Sequence, residues 1–119
     1  MYKLNATYYS IATAYIEAKT ITSYDSIEEV AVITQNICAS YFISKHPLYA
    51  MHTPTPKEIV YSLAGEMGEL VEMKDVTDLI LNHKKRLNNG ASLKIEILYY
   101  NYLSKRNTSL AIFIITKED

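Results

Sequence analysis

The chain holds only three glycines and three prolines in 119 residues. So few breakers leave little room for irregular connections and predict long regular elements joined by short turns. Apolar residues make up 49% and charged residues 21%, the composition of one globular domain built on one core. That composition excludes wholesale disorder. Twelve Lys and Arg face 13 Asp and Glu, for a net charge of −1, so no basic field exists and duplex DNA is disfavoured as a partner. The single cysteine, Cys38, excludes an internal disulfide and a Cys-based zinc site. No 18-residue apolar run and no signal-peptide pattern occur, so the expectation is an intracellular protein without a membrane span.

Ser26-Ile27-Glu28-Glu29 is a capping box, with a Ser hydroxyl three residues before a Glu. Behind it Ile27, Val30, Ala31, Thr34, Ile37, Cys38 and Tyr41 fall on one face, which predicts an amphipathic helix over 27–40. The Tyr-, Thr- and Ile-rich opening predicts strands near 2–7 and 14–22, although Leu4, Tyr8, Ile11, Ala12 and Tyr15 also fit helical spacing. Thr55-Pro56 reads as an N-cap followed by Pro at the first helical position, with Ile59, Val60, Leu63 and Met67 continuing a helix. Residues 69–87 fit either a hairpin turning at 74–78 or one long helix. Asn88-Asn89-Gly90 is a turn, residues 93–103 fit helix or strand, and the apolar run 110–115 is a buried strand.

Several constellations carry chemistry. His52 lies just before the expected helix start, where free backbone amides attract anions and an imidazole could donate a proton to a phosphate ester. His46 and His83 have no such context. Lys84-Lys85-Arg86 and Lys105-Arg106 are phosphate-binding candidates or solvated basic faces. Tyr8, Tyr9, Tyr99, Tyr100 and Tyr102 could stack bases, but tyrosines more often pack core edges and interfaces. Glu66, Glu69, Glu72, Asp75 and Asp78 recur every third residue, which on a helix would make one acidic solvated face.

The order of these pieces resembles a known family. Tyr2-Lys3-Leu4-Asn5-Ala6 opens the chain, and a strand and a Ser-capped helix follow. Then come Ala50-Met51-His52 with Thr55, Ser62-Leu63-Ala64-Gly65, Val71-Glu72-Met73-Lys74, Arg86-Leu87-Asn88-Asn89-Gly90 and Ile95-Glu96-Ile97-Leu98. This layout is similar to the viral ring nucleases of the type III anti-CRISPR family, carried by archaeal viruses and mobile elements. The resemblance implies an α/β fold, a small mixed sheet with packed helices in a single domain spanning 1–119, paired as a two-fold homodimer. It implies binding of cyclic tetra-adenylate, or a related cyclic nucleotide, in the host cytoplasm, and its cutting without metal or other cofactor. His52 would be the general acid. Asn5, Ser10, Thr53, Thr55, Asn82, Lys85, Arg86 and Asn89 would hold the ligand. It also implies a hairpin beginning near Val71 and a short helix after Gly90.

Two positions depart from the pattern. Asn89 stands where the family has an active-site Glu, and Met51 where it has Gly. An amide accepts no proton, so a messenger-binding protein without turnover is the second reading. The third is a winged-helix DNA-binding regulator, with three helices followed by a hairpin at 92–103 and 108–116. The shape of residues 70–87 separates them: a hairpin favours the first two, a single helix the third.

Overall fold

The computed structural model describes residues 1–10, 15–43, 57–101 and 105–118. The elements are β1 (Tyr2–Tyr9), β2 (Ile16–Tyr24), α1 (Ile27–Ile43), β3 (Lys57–Leu63), β4 (Glu69–Val71), α2 (Val76–Asn82), α3 (Lys84–Asn88), β5 (Leu93–Asn101) and β6 (Arg106–Lys117). A 3₁₀ turn, Met73–Asp75, leads into α2. The strands form one six-stranded sheet in the order β2-β1-β6-β5-β3-β4. Every neighbouring pair is antiparallel, which corrects the mixed sheet expected from the resemblance.

Alternation decides which face of each strand is buried. Leu4, Ala6, Phe113, Ile115, Leu93, Ile95, Ile97, Ile59 and Leu63 are buried and aligned across the register. They form one core with Ile27, Val30, Ala31 and Cys38 of α1 and with Val76, Leu79, Ile80 and Leu87 of α2 and α3. Helices therefore cover one face of the sheet. The opposite face carries Lys3, Asn5 and Thr7 of β1 beside Ile112, Ile114 and Thr116 of β6.

The expected start of α1 is present: Glu29 N–H donates to Ser26 Oγ at 3.2 Å. The N-terminus of α2 is capped from another element, because its own Asp75 makes no side-chain cap. Thr77 N–H donates instead to Oε1 of Gln35 on α1, at 2.7 Å, satisfying an orphan amide across the packed helix pair. α3 ends in a Schellman motif: Ala91 N–H reaches Arg86 O and Gly90 N–H reaches Leu87 O, both at 3.0 Å. Gly90 takes the left-handed conformation this needs, at φ 95°.

Three expectations are corrected. Residues 57–63 are a strand, not a helix, because Ile59, Tyr61 and Leu63 alternate toward the core and pair with Ile97, Ile95 and Leu93 of β5. The Thr55-Pro56 signal itself lies outside the described residues. Residues 69–87 are neither a hairpin nor one helix: β4 closes a hairpin with β3, and the segment expected to turn at 74–78 starts α2. That hairpin turns through Leu63–Glu66, closed by Glu66 N–H to Leu63 O at 3.0 Å with Gly65 at φ 82°. Residues 93–101 are a strand, not the short helix implied by the resemblance. Among the described residues, the second helix of the winged-helix reading is replaced by β3 and the third by shorter elements, while its expected hairpin is present as β5 paired with β6.

Cys38 is fully buried on α1, and burial pushes its thiol up to about 12. The reactive thiolate is thus scarce at neutral pH. Native protein is expected to resist a maleimide at pH 8 and to react once denatured, as mass spectrometry would read; rapid labelling of native protein would contradict the packing of α1 on the sheet.

Candidate functional site

Lys84, Lys85 and Arg86, three consecutive cations, lie where α2 meets α3. His83 sits between the two helices with φ −98° and ψ 5°, closing α2 as its C-cap and opening α3 as its N-cap. Val76, Leu79, Ile80 and Leu87 are buried, while Asn82, Lys84, Lys85, Arg86 and Asn89 are exposed. Helical spacing accounts for both sets. The apolar stripe anchors the corner, and Asn82, Lys85, Arg86 and Asn89 form the opposite, solvent-facing stripe.

His83 itself is half-buried. Its Nδ1 lies 2.7 Å from the Leu79 carbonyl, which can only accept, so Nδ1 carries the proton and Nε2 of the neutral ring is an acceptor. The ring meets Tyr61 of β3 edge-on, with centroids 5.8 Å apart. The Tyr61 hydroxyl donates to Glu69 Oε2 of β4 at 2.6 Å. That bond to the Glu69 carboxylate, with a smaller effect of burial, raises the Tyr61 pKa. Arg86 Nη1 lies 3.4 Å from Glu66 Oε1 in the β3–β4 turn, with side chains 59% and 58% exposed. Such an exposed pair contributes little, at most about 1 kcal/mol, and leaves four guanidinium donors for a ligand. Among the described residues, Lys84 and Lys85 make no ion pair.

This corner can bind an anion. It presents three cations on one short segment, amide side chains at either end and an aromatic pair alongside. Tyr2 ties it to the sheet: its hydroxyl donates to Asn88 Oδ1 at 2.6 Å, and Lys117 Nζ stands 4.8 Å from its ring centroid.

The structure brings together Asn82, Lys85, Arg86 and Asn89 of the expected site and separates two others from them. Asn5 lies between Leu4 and Ala6, whose side chains face the helices, so Asn5 points to the opposite face of the sheet, in register with Ile21 and Ile114. Ser10 follows the far end of β1, roughly 25 Å along the strand from Tyr2, with its N–H on Tyr15 O. His52, Thr53 and Thr55 lie outside the described residues, as do His46 and Tyr102. Tyr61 and His83 were not expected. Their only signal was that His83 continues the Leu79–Ile80–Leu87 stripe, which becomes readable once α2 and α3 are known to be helical.

Other candidates resolve as packing or surface. Tyr99 is buried, and Tyr8 meets Phe113 edge-on at 6.0 Å. The acidic series does not share one helix face, because Glu66 lies in a turn, Glu69 in β4, Asp75 in the 3₁₀ turn and Asp78 in α2. Among the described residues, no group of three His, Cys, Asp or Glu is placed to hold a metal ion. Among those residues, no helix is long and apolar enough to cross a membrane. Compared with family models, curated proteins and solved structures, the chain gives no match.

Proposed function

We propose that this protein binds a cyclic oligoadenylate, cyclic tetra-adenylate first, with the α2–α3 corner as its phosphate-binding surface. The observation that carries the reading is the exposed stripe of Asn82, Lys85, Arg86 and Asn89 beside the His83–Tyr61 pair. A ring with four phosphates needs charge-assisted donors, and Arg86 supplies the planar fork suited to them. A ligand with two-fold symmetry is matched by two copies of the chain, each contributing one corner. Asn5 and Ser10 take no part in the corner of their own protomer.

Cutting, in this reading, belongs to His52. The adenosine 2′-oxygen attacks the adjacent phosphorus in line, the P–O5′ bond breaks, and His52 gives its proton to O5′. The 2′-hydroxyl proton passes to solvent, and linear di-adenylates with cyclic phosphate ends result. Positioning and one acid suffice for this step. The protein would remove the messenger of type III CRISPR defence in the host cytoplasm, as expected of a viral or mobile-element protein. The second reading, sequestration without turnover, is favoured by Asn89, an amide where a proton acceptor is expected.

Arg86→Ala tests the assignment. Loss of charge-assisted hydrogen bonds to phosphate is expected to weaken binding of labelled cyclic tetra-adenylate by roughly 10- to 100-fold. Lys94→Ala, which removes a cation from the strand face away from the corner, is expected to change it by less than about threefold. Equal affinities for wild type and Arg86→Ala would remove the corner from the binding site.

A further inference from the structure

The polar groups of His83 are all engaged but one. Its backbone N–H donates to Ile80 O at 3.1 Å, and its carbonyl accepts from Leu87 N–H at 3.0 Å, so it is anchored in both helices. The ring is anchored as well. Nδ1–H donates to the Leu79 carbonyl, and the ring stands edge-on to Tyr61, whose hydroxyl is itself fixed on Glu69. These contacts set the tautomer and leave Nε2 with a free lone pair and, among the described residues, no partner. The half-buried ring lies on the border between the apolar stripe and the exposed cationic one. Arg86, three residues on, leans on the same hairpin, with its guanidinium 3.4 Å from Glu66 in the β3–β4 turn. A phosphate held by Arg86 is therefore held on the side of the corner that His83 faces.

We infer that His83 is the general base of the cutting step, with Nε2 accepting the 2′-hydroxyl proton. The inference deepens the function proposed above and rests on it. That function gives the departing oxygen an acid and leaves the attacking oxygen without an acceptor, since Asn89 is an amide. In the step, O2′ bonds to phosphorus as its proton moves to Nε2. The P–O5′ bond breaks, its electron pair leaves with O5′, and O5′ takes the proton of the acid. The His83 imidazolium then gives its proton to water. Two features suit His83 to this role. A free imidazole divides its proton between two nitrogens, whereas the Leu79 carbonyl commits it to Nδ1 and keeps Nε2 the basic atom. The packed ring also needs no reorientation before it accepts a proton. Tyr61 and Glu69 of the hairpin face the ring, Glu66 stands on Arg86 beside them, and Lys84 and Lys85 follow on α3. None of these is a rival base. The Tyr61 hydroxyl is a donor to Glu69, whose carboxylate raises its pKa, and Glu66 accepts from Arg86.

The test is single-turnover cutting of labelled cyclic tetra-adenylate by saturating protein, read across a pH series. His83→Asn keeps a side-chain N–H for the Leu79 carbonyl and removes the base. It is expected to cut roughly 10²–10⁴-fold more slowly, the contribution of one general base. Its affinity is expected to stay within about fivefold of wild type, the worth of one neutral hydrogen bond. Wild type is expected to lose rate toward acid pH as Nε2 takes up a proton, and His83→Asn to lack that fall. His83→Ala, which opens space for a small base, is expected to regain rate when imidazole is added. A packing role alone would move neither the pH profile nor the imidazole response. Cutting by His83→Asn at the wild-type rate would overturn the inference and leave the corner and His52 standing. So would an acid fall that persists in His83→Asn, or a slow His83→Ala that imidazole does not restore. Wild type that binds the ligand without cutting it would overturn the inference together with the role of His52, and would leave the corner as a binding surface.

Discussion

Phe113→Ala should lower the stability of the fold by about 3–5 kcal/mol. Phe113 is fully buried on β6, the strand with β1 on one side and β5 on the other. Ala6 and Ile95 are its register partners on those two neighbours, and the Tyr8 ring stacks on its edge. Small Ala6 leaves the space that the ring fills, so truncation opens a cavity that its rigid strand neighbours cannot close. A domain of this size holds only about 5–15 kcal/mol in total. The variant is therefore expected to unfold at a much lower urea concentration with an unchanged slope. A shift corresponding to less than about 1 kcal/mol, small for a core truncation, would contradict the packing described for the centre of the sheet.

His52→Ala carries the largest expected effect on activity. If His52 protonates the departing 5′-oxygen, turnover of cyclic tetra-adenylate should fall roughly 10²–10⁴-fold. The loss should appear in the rate of the bound complex, because the phosphate contacts assigned to Arg86 and Lys85 remain. Single-turnover assays with saturating protein separate the two. Turnover at the wild-type rate would remove His52 from the chemistry. A loss confined to affinity would make it a binding residue.

The elements with local signals were legible in the sequence. Ser26 and the stripe from Ile27 to Cys38 mark α1, because capping and amphipathic spacing act within a few residues. The strand-forming openings of β1 and β2 and the apolar run of β6 could be read for the same reason. Residues 57–63 could not. Thr55-Pro56 is a strong local helix signal, yet Ile59 and Leu63 are fixed by Ile97 and Leu93 of β5, more distant in sequence than any window of periodicity. Residues 69–87 hid four short elements inside patterns that fit longer ones, and Gln35, far upstream, supplies the cap that starts α2.

The candidate site was legible to the same degree. Asn82, Lys85, Arg86 and Asn89 lie within eight residues along two adjoining short helices and the cap that ends them, so their nearness in the chain carries over to space. Asn5 matched a motif position, but strand parity sends it to the other face of the sheet from Leu4 and Ala6. Tyr61 and His83 meet only because the β3–β4 hairpin folds up against α2 and α3.

The most direct test of the account is incubation of the purified protein with labelled cyclic tetra-adenylate in excess EDTA, followed by separation of bound, intact and cut ligand. The account predicts retention of the ligand by the protein, with linear di-adenylates accumulating at a rate that EDTA does not change. Free, intact ligand at saturating protein would contradict it.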